Sequence, residues 1–92
     1  MEKEKVLKII VRETKKIVEK EGILLYRKIA SVAKKFGIEH PELERALRQE
    51  GMQIFPSRIS EKTGRRYLLV SIRRGSDLEL LIESKLRQEG LL

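Results

Sequence analysis

Apolar residues recur at helical spacing in four stretches of this chain and at strand-like spacing in two. Over residues 3–21, Val6, Leu7, Ile10, Val11, Thr14, Ile17 and Val18 fill one broad stripe. Lys3, Lys5, Lys8, Arg12, Lys15, Lys16 and Lys20 lie mostly off it, so the stretch predicts an amphipathic helix with a solvated charged face. Ile23-Leu24-Leu25 is an apolar run too short for a helix and reads as a short extended piece. Ile29, Val32, Ala33 and Phe36 predict a second helix over 26–36, ended by Gly37. His40-Pro41 opens a third over 41–50, because Pro suits the first helical position and disfavours helix at the residue before it. Leu43, Ala46 and Leu47 form its apolar face, and Gly51 stops it. Two short helices joined by a few residues with Gly in the turn make a helix-turn-helix.

Residues 52–59 and 66–72 predict a β-hairpin, with β-branched and aromatic residues flanking the polar connection Glu61-Lys62-Thr63-Gly64. A four-residue loop there pairs Phe55 with Val70 and Ser57 with Leu68, turning Phe55, Leu68 and Val70 inward. Pro56 cannot donate to a ladder, so residues 52–59 form an edge strand and Ile23–Leu25 pairs with 66–72. A last helix over 76–89 starts at a capping box, Ser76 to Glu79, and carries Leu78, Leu81, Ile82 and Leu86 on its apolar face. The predicted core includes Phe36, Leu47, Ile29 and Leu68. Leu80, Leu91 and Leu92 lie off the last helix's apolar face and are the candidates for contact with a second copy or another protein.

The whole chain reads as one domain of 92 residues, with its core unit over 3–74 and the C-terminal helix over 76–89. It carries 21 Lys and Arg against 14 acids, a net charge of +7, which favours a polyanionic partner. Most of the excess sits in residues 52–74, where six bases face the single acid Glu61. Residues 75–92 have two bases and four acids. The absence of Cys, Asn and Trp and the 38% charged content suit a hyperthermophile's cytosol. No apolar run exceeds four residues, so neither a signal peptide nor a membrane span is expected, and the expected location is cytoplasmic.

The order helix, short strand, helix, turn, helix, hairpin resembles the winged helix-turn-helix superfamily over roughly residues 5–74, in a small, basic, archaeal-looking form. Tyr26-Arg27-Lys28-Ile29-Ala30 looks like the family's second helix, and Ala33-Lys34-Lys35-Phe36-Gly37-Ile38 like its turn. Leu43 to Gly51 looks like the recognition helix and 52–72 like the wing. The resemblance implies an α+β fold: a three-helix core, a small antiparallel sheet with a β-hairpin wing, and here an extra C-terminal helix. It also implies double-stranded DNA as a common ligand.

The local chemistry agrees in part. Arg58, Lys62, Arg65 and Arg66 cluster around the wing tip, and Arg73 and Arg74 follow the second hairpin strand. Arg forks bind phosphate oxygens at two points and enter narrow minor grooves. On the third helix, Arg45, Arg48 and Gln49 could read purine edges in a major groove, but Glu39, Glu42 and Glu44 crowd its N-terminal end and repel phosphates. Arg27 and Lys28 are further candidate contacts. His40 reads as a cap-region residue before Pro41. Gln49, Met52 and Phe55 partly resemble the sliding-clamp-binding motif, but Pro56 occupies its second aromatic place. With no Cys, one His and no Gly-rich phosphate loop, no catalytic or metal constellation stands out, and no cofactor is expected. Two functions remain open. One is a DNA-binding transcription regulator or chromatin-type binder. The other is an accessory subunit of an archaeal replication or transcription assembly, in which the fold is a protein-docking module.

Overall fold

The computed structural model describes residues 2–92 apart from Arg74 and Ser76. The Arg74 contact and the Ser76 capping box therefore lie outside the described residues. The elements run α1 (Lys3–Glu21), β1 (Leu24–Leu25), α2 (Tyr26–Lys35), α3 (His40–Gln49), β2 (Gln53–Pro56), β3 (Leu68–Ser71) and α4 (Leu78–Gln88). The fold is α+β, four helices with one antiparallel sheet in the order β1-β3-β2. β3 is central, so β2 with its Pro56 is an edge strand, and β1 pairs with β3 as the sequence required. No helix among the described residues is long and apolar enough to cross a membrane.

The sheet is buried on both faces, which explains the unbroken run Ile23-Leu24-Leu25. Successive strand residues point to opposite faces. Leu24 and Val70 join the larger core, with Val6, Ile10, Val11 and Val18 of α1, Tyr26, Ile29 and Ala33 of α2, and Leu43 and Leu47 of α3. Ile23, Leu25 and Leu69 face the other way and pack under α4, against Leu86 and Leu91. Thr14 is buried within the α1 stripe and satisfies its hydroxyl by donating to Ile10 O at 2.7 Å.

Four expectations about the core are corrected, those for Phe36, Leu91, Phe55 and Leu68. Phe36 is 47% exposed, and Val32 is exposed beside it on α2. At the end of α2 the N–H of Gly37 bonds to Lys34 O at 3.0 Å and that of Ile38 to Ala33 O at 3.1 Å, with Gly37 at φ 74°. This is a Schellman turn, which folds the residue after the glycine back under the helix. Ile38 therefore fills the place expected for Phe36 and is buried. The same bonds recur at Gly51-Met52 and Gly90-Leu91, and Met52 and Leu91 are buried too. Leu91 is thus a core residue of the sheet's second face rather than a free contact for a partner.

The hairpin register differs by one residue. Phe55 pairs with Leu69 and Ile54 with Val70, so Ile54 and not Phe55 packs against the larger core. A slip of one reverses the face of every side chain in a strand. Leu68 shares Val70's face but stands at the end of β3, at the rim of the core, and remains 42% exposed. The connection is also longer than four residues, spanning 57–67, although Glu61 to Gly64 does form its turn.

Candidate nucleic-acid interface

The 57–67 loop is held by serines. Ser57 N donates to Tyr67 O at 2.7 Å, and Tyr67 N donates to Ser57 Oγ at 2.9 Å. Ser60, fully buried, accepts at Oγ from the N–H groups of Lys62 and Thr63, both at 3.2 Å. Its own hydroxyl proton goes to Leu91 O, tying the loop to the segment after α4. Tyr67 Oη donates to Thr63 Oγ1 at 2.9 Å. Hydroxyls that bond nearby backbone amides are what allows a chain this short to turn without a ladder. The sequence places Ser57 only in a strand pair with Leu68 and gives Ser60 no role, because small polar residues in a loop carry no periodic signal.

On this anchored loop, Lys62, Arg65 and Arg66 are exposed and form no ion pair with any described residue. Arg58 differs. Its Nη2 bonds to Glu83 Oε1 of α4 at 3.1 Å, an oxygen that Arg87 also reaches at 3.2 Å. Lys28 is engaged in the same way, with Nζ 2.5 Å from Glu89 Oε1. Two of the expected phosphate contacts therefore meet carboxylates of the acidic C-terminal segment, Glu83 within α4 and Glu89 just after it. Arg27 lies over the Tyr67 ring, its guanidinium carbon 5.2 Å from the centroid. Arg73 is exposed beyond β3. Leu80 is 69% exposed on α4, while Leu92 is half-buried against the second core.

Two of the three acids crowding the start of α3 have local partners. Glu39 and Glu42 form a capping box, with Glu39 N donating to Glu42 Oε1 at 3.3 Å. Lys3 Nζ stands 2.7 Å from the same oxygen, and this bond, with the amide of Glu39, holds the Glu42 carboxyl below the usual carboxylate range. Glu50 meets Lys15 at 3.6 Å. Arg45 and Arg48, both exposed and without an ion pair to a described residue, are left beside Gln49 on the outer side of α3.

No family model, curated protein or solved structure matches this chain. The remaining polar feature is one that the sequence reading treated as a cap. Tyr26 Oη and His40 Nδ1 are 3.0 Å apart, with the two rings tilted at 36° and their centroids separated by 5.7 Å. Tyr26 is buried. That burial, helped by the nearby Glu44 carboxylate and opposed by Arg48, pushes its phenol up to about 12. Each residue opens a helix, Tyr26 at the start of α2 and His40 at the start of α3. The angle between the helices, which periodicity does not report, is what brings them together.

The α4 contacts carry a pH dependence. The Lys28 bond is the main cause that holds the Glu89 carboxyl below its usual range, with Lys85 and Arg27 adding to it. A carboxyl depressed in the folded state contributes stability above its unfolded value of about 4.3. That contribution is lost as pH falls through the lower folded value. Lys28 is about half exposed, so the pair is worth roughly 0.2–1 kcal/mol. Melting curves of the natural chain and a Glu89→Gln variant should differ at neutral pH and converge only once the pH has fallen below the lowered folded value of Glu89. A gap that persisted in acid would assign the difference to packing.

Proposed function

We propose that this chain is a winged helix-turn-helix protein that binds double-stranded DNA as a transcription regulator or chromatin-type binder. In this reading α2 and α3 form the helix-turn-helix and the 57–67 loop is the wing, making mainly phosphate and minor-groove contacts. The observation that carries it is the placement of Lys62, Arg65 and Arg66. Three exposed cations without ion pairs stand on a loop anchored by buried serines, so binding need not first order the loop. The element order and the β1-β3-β2 sheet support the fold assignment. Arg58 and Lys28 contribute less, since each must first leave a glutamate. Arg45 and Arg48 add phosphate or base contacts from α3, with Arg27 and Arg73 on the flanks.

The test is fluorescence anisotropy of a labelled duplex of mixed sequence, titrated with the purified chain at several salt concentrations. The expected result is binding without any partner, similar for unrelated sequences and weakening steeply with salt. Absence of binding even at low salt would remove the reading. The exposed Leu80 on α4, within the acidic segment 75–92, favours one second reading, the docking module of a larger assembly. That reading would then take its place.

A further inference from the structure

The tilted Tyr26–His40 pair belongs to a shallow hollow of which the DNA reading uses Arg27 alone. It is lined by Tyr26, Ala30 and the exposed Leu68 together with the polar side chains of Arg27, Lys34, His40 and Glu44. His40 Nδ1 is the one partner of Tyr26 Oη among the described residues, and the arrangement that gives the buried hydroxyl proton a bond is the one in which Tyr26 donates and Nδ1 accepts. A neutral imidazole has a single N–H. With Nδ1 accepting, that proton is on Nε2, the nitrogen turned away from Tyr26. His40 is exposed, and only its Nδ1 has a partner among the described residues.

We propose that this hollow binds one phosphate group, held by His40 Nε2–H, Lys34 Nζ and the Arg27 guanidinium, with Tyr26 as the positioning residue that selects the imidazole tautomer. The assignment of that phosphate to a duplex backbone rests on the DNA reading above. The donors fit the task. Arg27 lies over the Tyr67 ring and makes no hydrogen bond or ion pair to a described residue, so its N–H groups are free to form charge-assisted bonds. Lys34 is exposed and without an ion pair to a described residue. The helix end itself is not the donor, because the capping box of Glu39 and Glu42 occupies it. Glu44, half-buried in the same lining, opposes the anion. It favours a ligand that three donors neutralise together over a loosely held ion.

His40 is the only histidine in the chain, so its ring nitrogens give an unambiguous signal in long-range proton–nitrogen NMR spectra of the labelled full chain. The free protein, under alkaline conditions, should show the Nε2–H tautomer, and Tyr26→Phe should give a mixture of both. Inorganic phosphate should shift Nε2. Lys34→Ala should weaken that titration about tenfold, and Glu44→Gln should tighten it. On duplex DNA, Lys34→Ala should lower the log–log salt slope by roughly 0.9. Tyr26→Phe should weaken binding several-fold with the slope unchanged, since the substitution removes no charge. If Tyr26→Phe does not fold, the comparison passes to His40→Gln, which keeps an N–H donor and should retain phosphate binding that His40→Ala loses.

An Nδ1–H tautomer in the free protein would overturn the proposal. So would an unshifted His40 in the presence of both phosphate and a duplex that still binds through the loop, a result that leaves the DNA reading standing. A phosphate shift at His40 in a protein that binds no duplex would support the hollow as an anion site and remove the DNA reading alone.

Discussion

Replacing Lys62, Arg65 and Arg66 together by Ala is expected to flatten the salt dependence of duplex binding by up to about 2.7 log units per log unit of salt. Each neutralised phosphate releases condensed counterions and contributes roughly 0.9 to that slope. At about 0.1 M salt the lost slope corresponds to a fall in affinity on the order of a hundredfold or more. The fall should be similar for unrelated sequences, because contacts to phosphate carry no base information. Arg58→Ala should do much less, since that guanidinium is already bonded to Glu83. Changing Arg45 and Arg48 should also have a smaller effect on a non-specific duplex. The reverse pattern, with the α3 pair abolishing binding to one sequence and the loop triple having no effect, would make α3 a major-groove reader. The fold should be unaffected in the triple variant, as none of the three side chains is buried or bonded to a described residue. Circular dichroism melting provides that control.

Truncating Leu47 to Ala should destabilise the chain by roughly 2–5 kcal/mol. Leu47 is fully buried where α3 meets α1, and its carbonyl also accepts the Met52 N–H that closes the helix. For a domain of this size, 1 kcal/mol moves the melting temperature by about 4–8 °C, so a drop of about 10 °C or more is expected. Phe36→Ala is the informative partner. Periodicity alone placed both residues in the core, but Phe36 stands half exposed past the last turn of α2. Its loss should cost well under half as much. Equal losses for the two variants would mean that Phe36, not Ile38, seals the end of α2.

These two residues show how far periodicity reaches. The spacing of apolar positions located all four helices to within two residues, because a repeat near 3.6 is a property of the element itself. Pro56 identified the edge strand, since the missing N–H is a local fact. What periodicity leaves open is how wide a part of a stripe is covered. On α2 the neighbours cover Tyr26, Ile29 and Ala33 and leave Val32 to solvent. The burial of Ile38, Met52 and Leu91 was nonetheless legible, because each follows a helix-ending glycine directly, the order a Schellman turn requires. The hairpin register was not legible, because Leu68, Leu69 and Val70 are all apolar and the second face was assumed to be open. The candidate interface was legible as charge and not as geometry. Arg58 and Arg65 look alike along the chain, and only the position of Glu83 separates them.

The sheet with two covered faces also sets how the molecule comes apart. Its two hydrophobic clusters have no residue in common, and every contribution from α4 lies in the smaller one. Detachment of α4 uncovers Ile23, Leu25 and Leu69 but leaves the packing of α1, α2 and α3 intact. The backbone amides of α4 therefore exchange with solvent through a partial opening, at a lower free energy than those of α1, which need global unfolding. The same opening frees Arg58 and Lys28 from their glutamates and releases Ser60 from Leu91. Loop anchoring and two of the cation pairs are thus parts of a single cooperative unit, and they are lost in the same step.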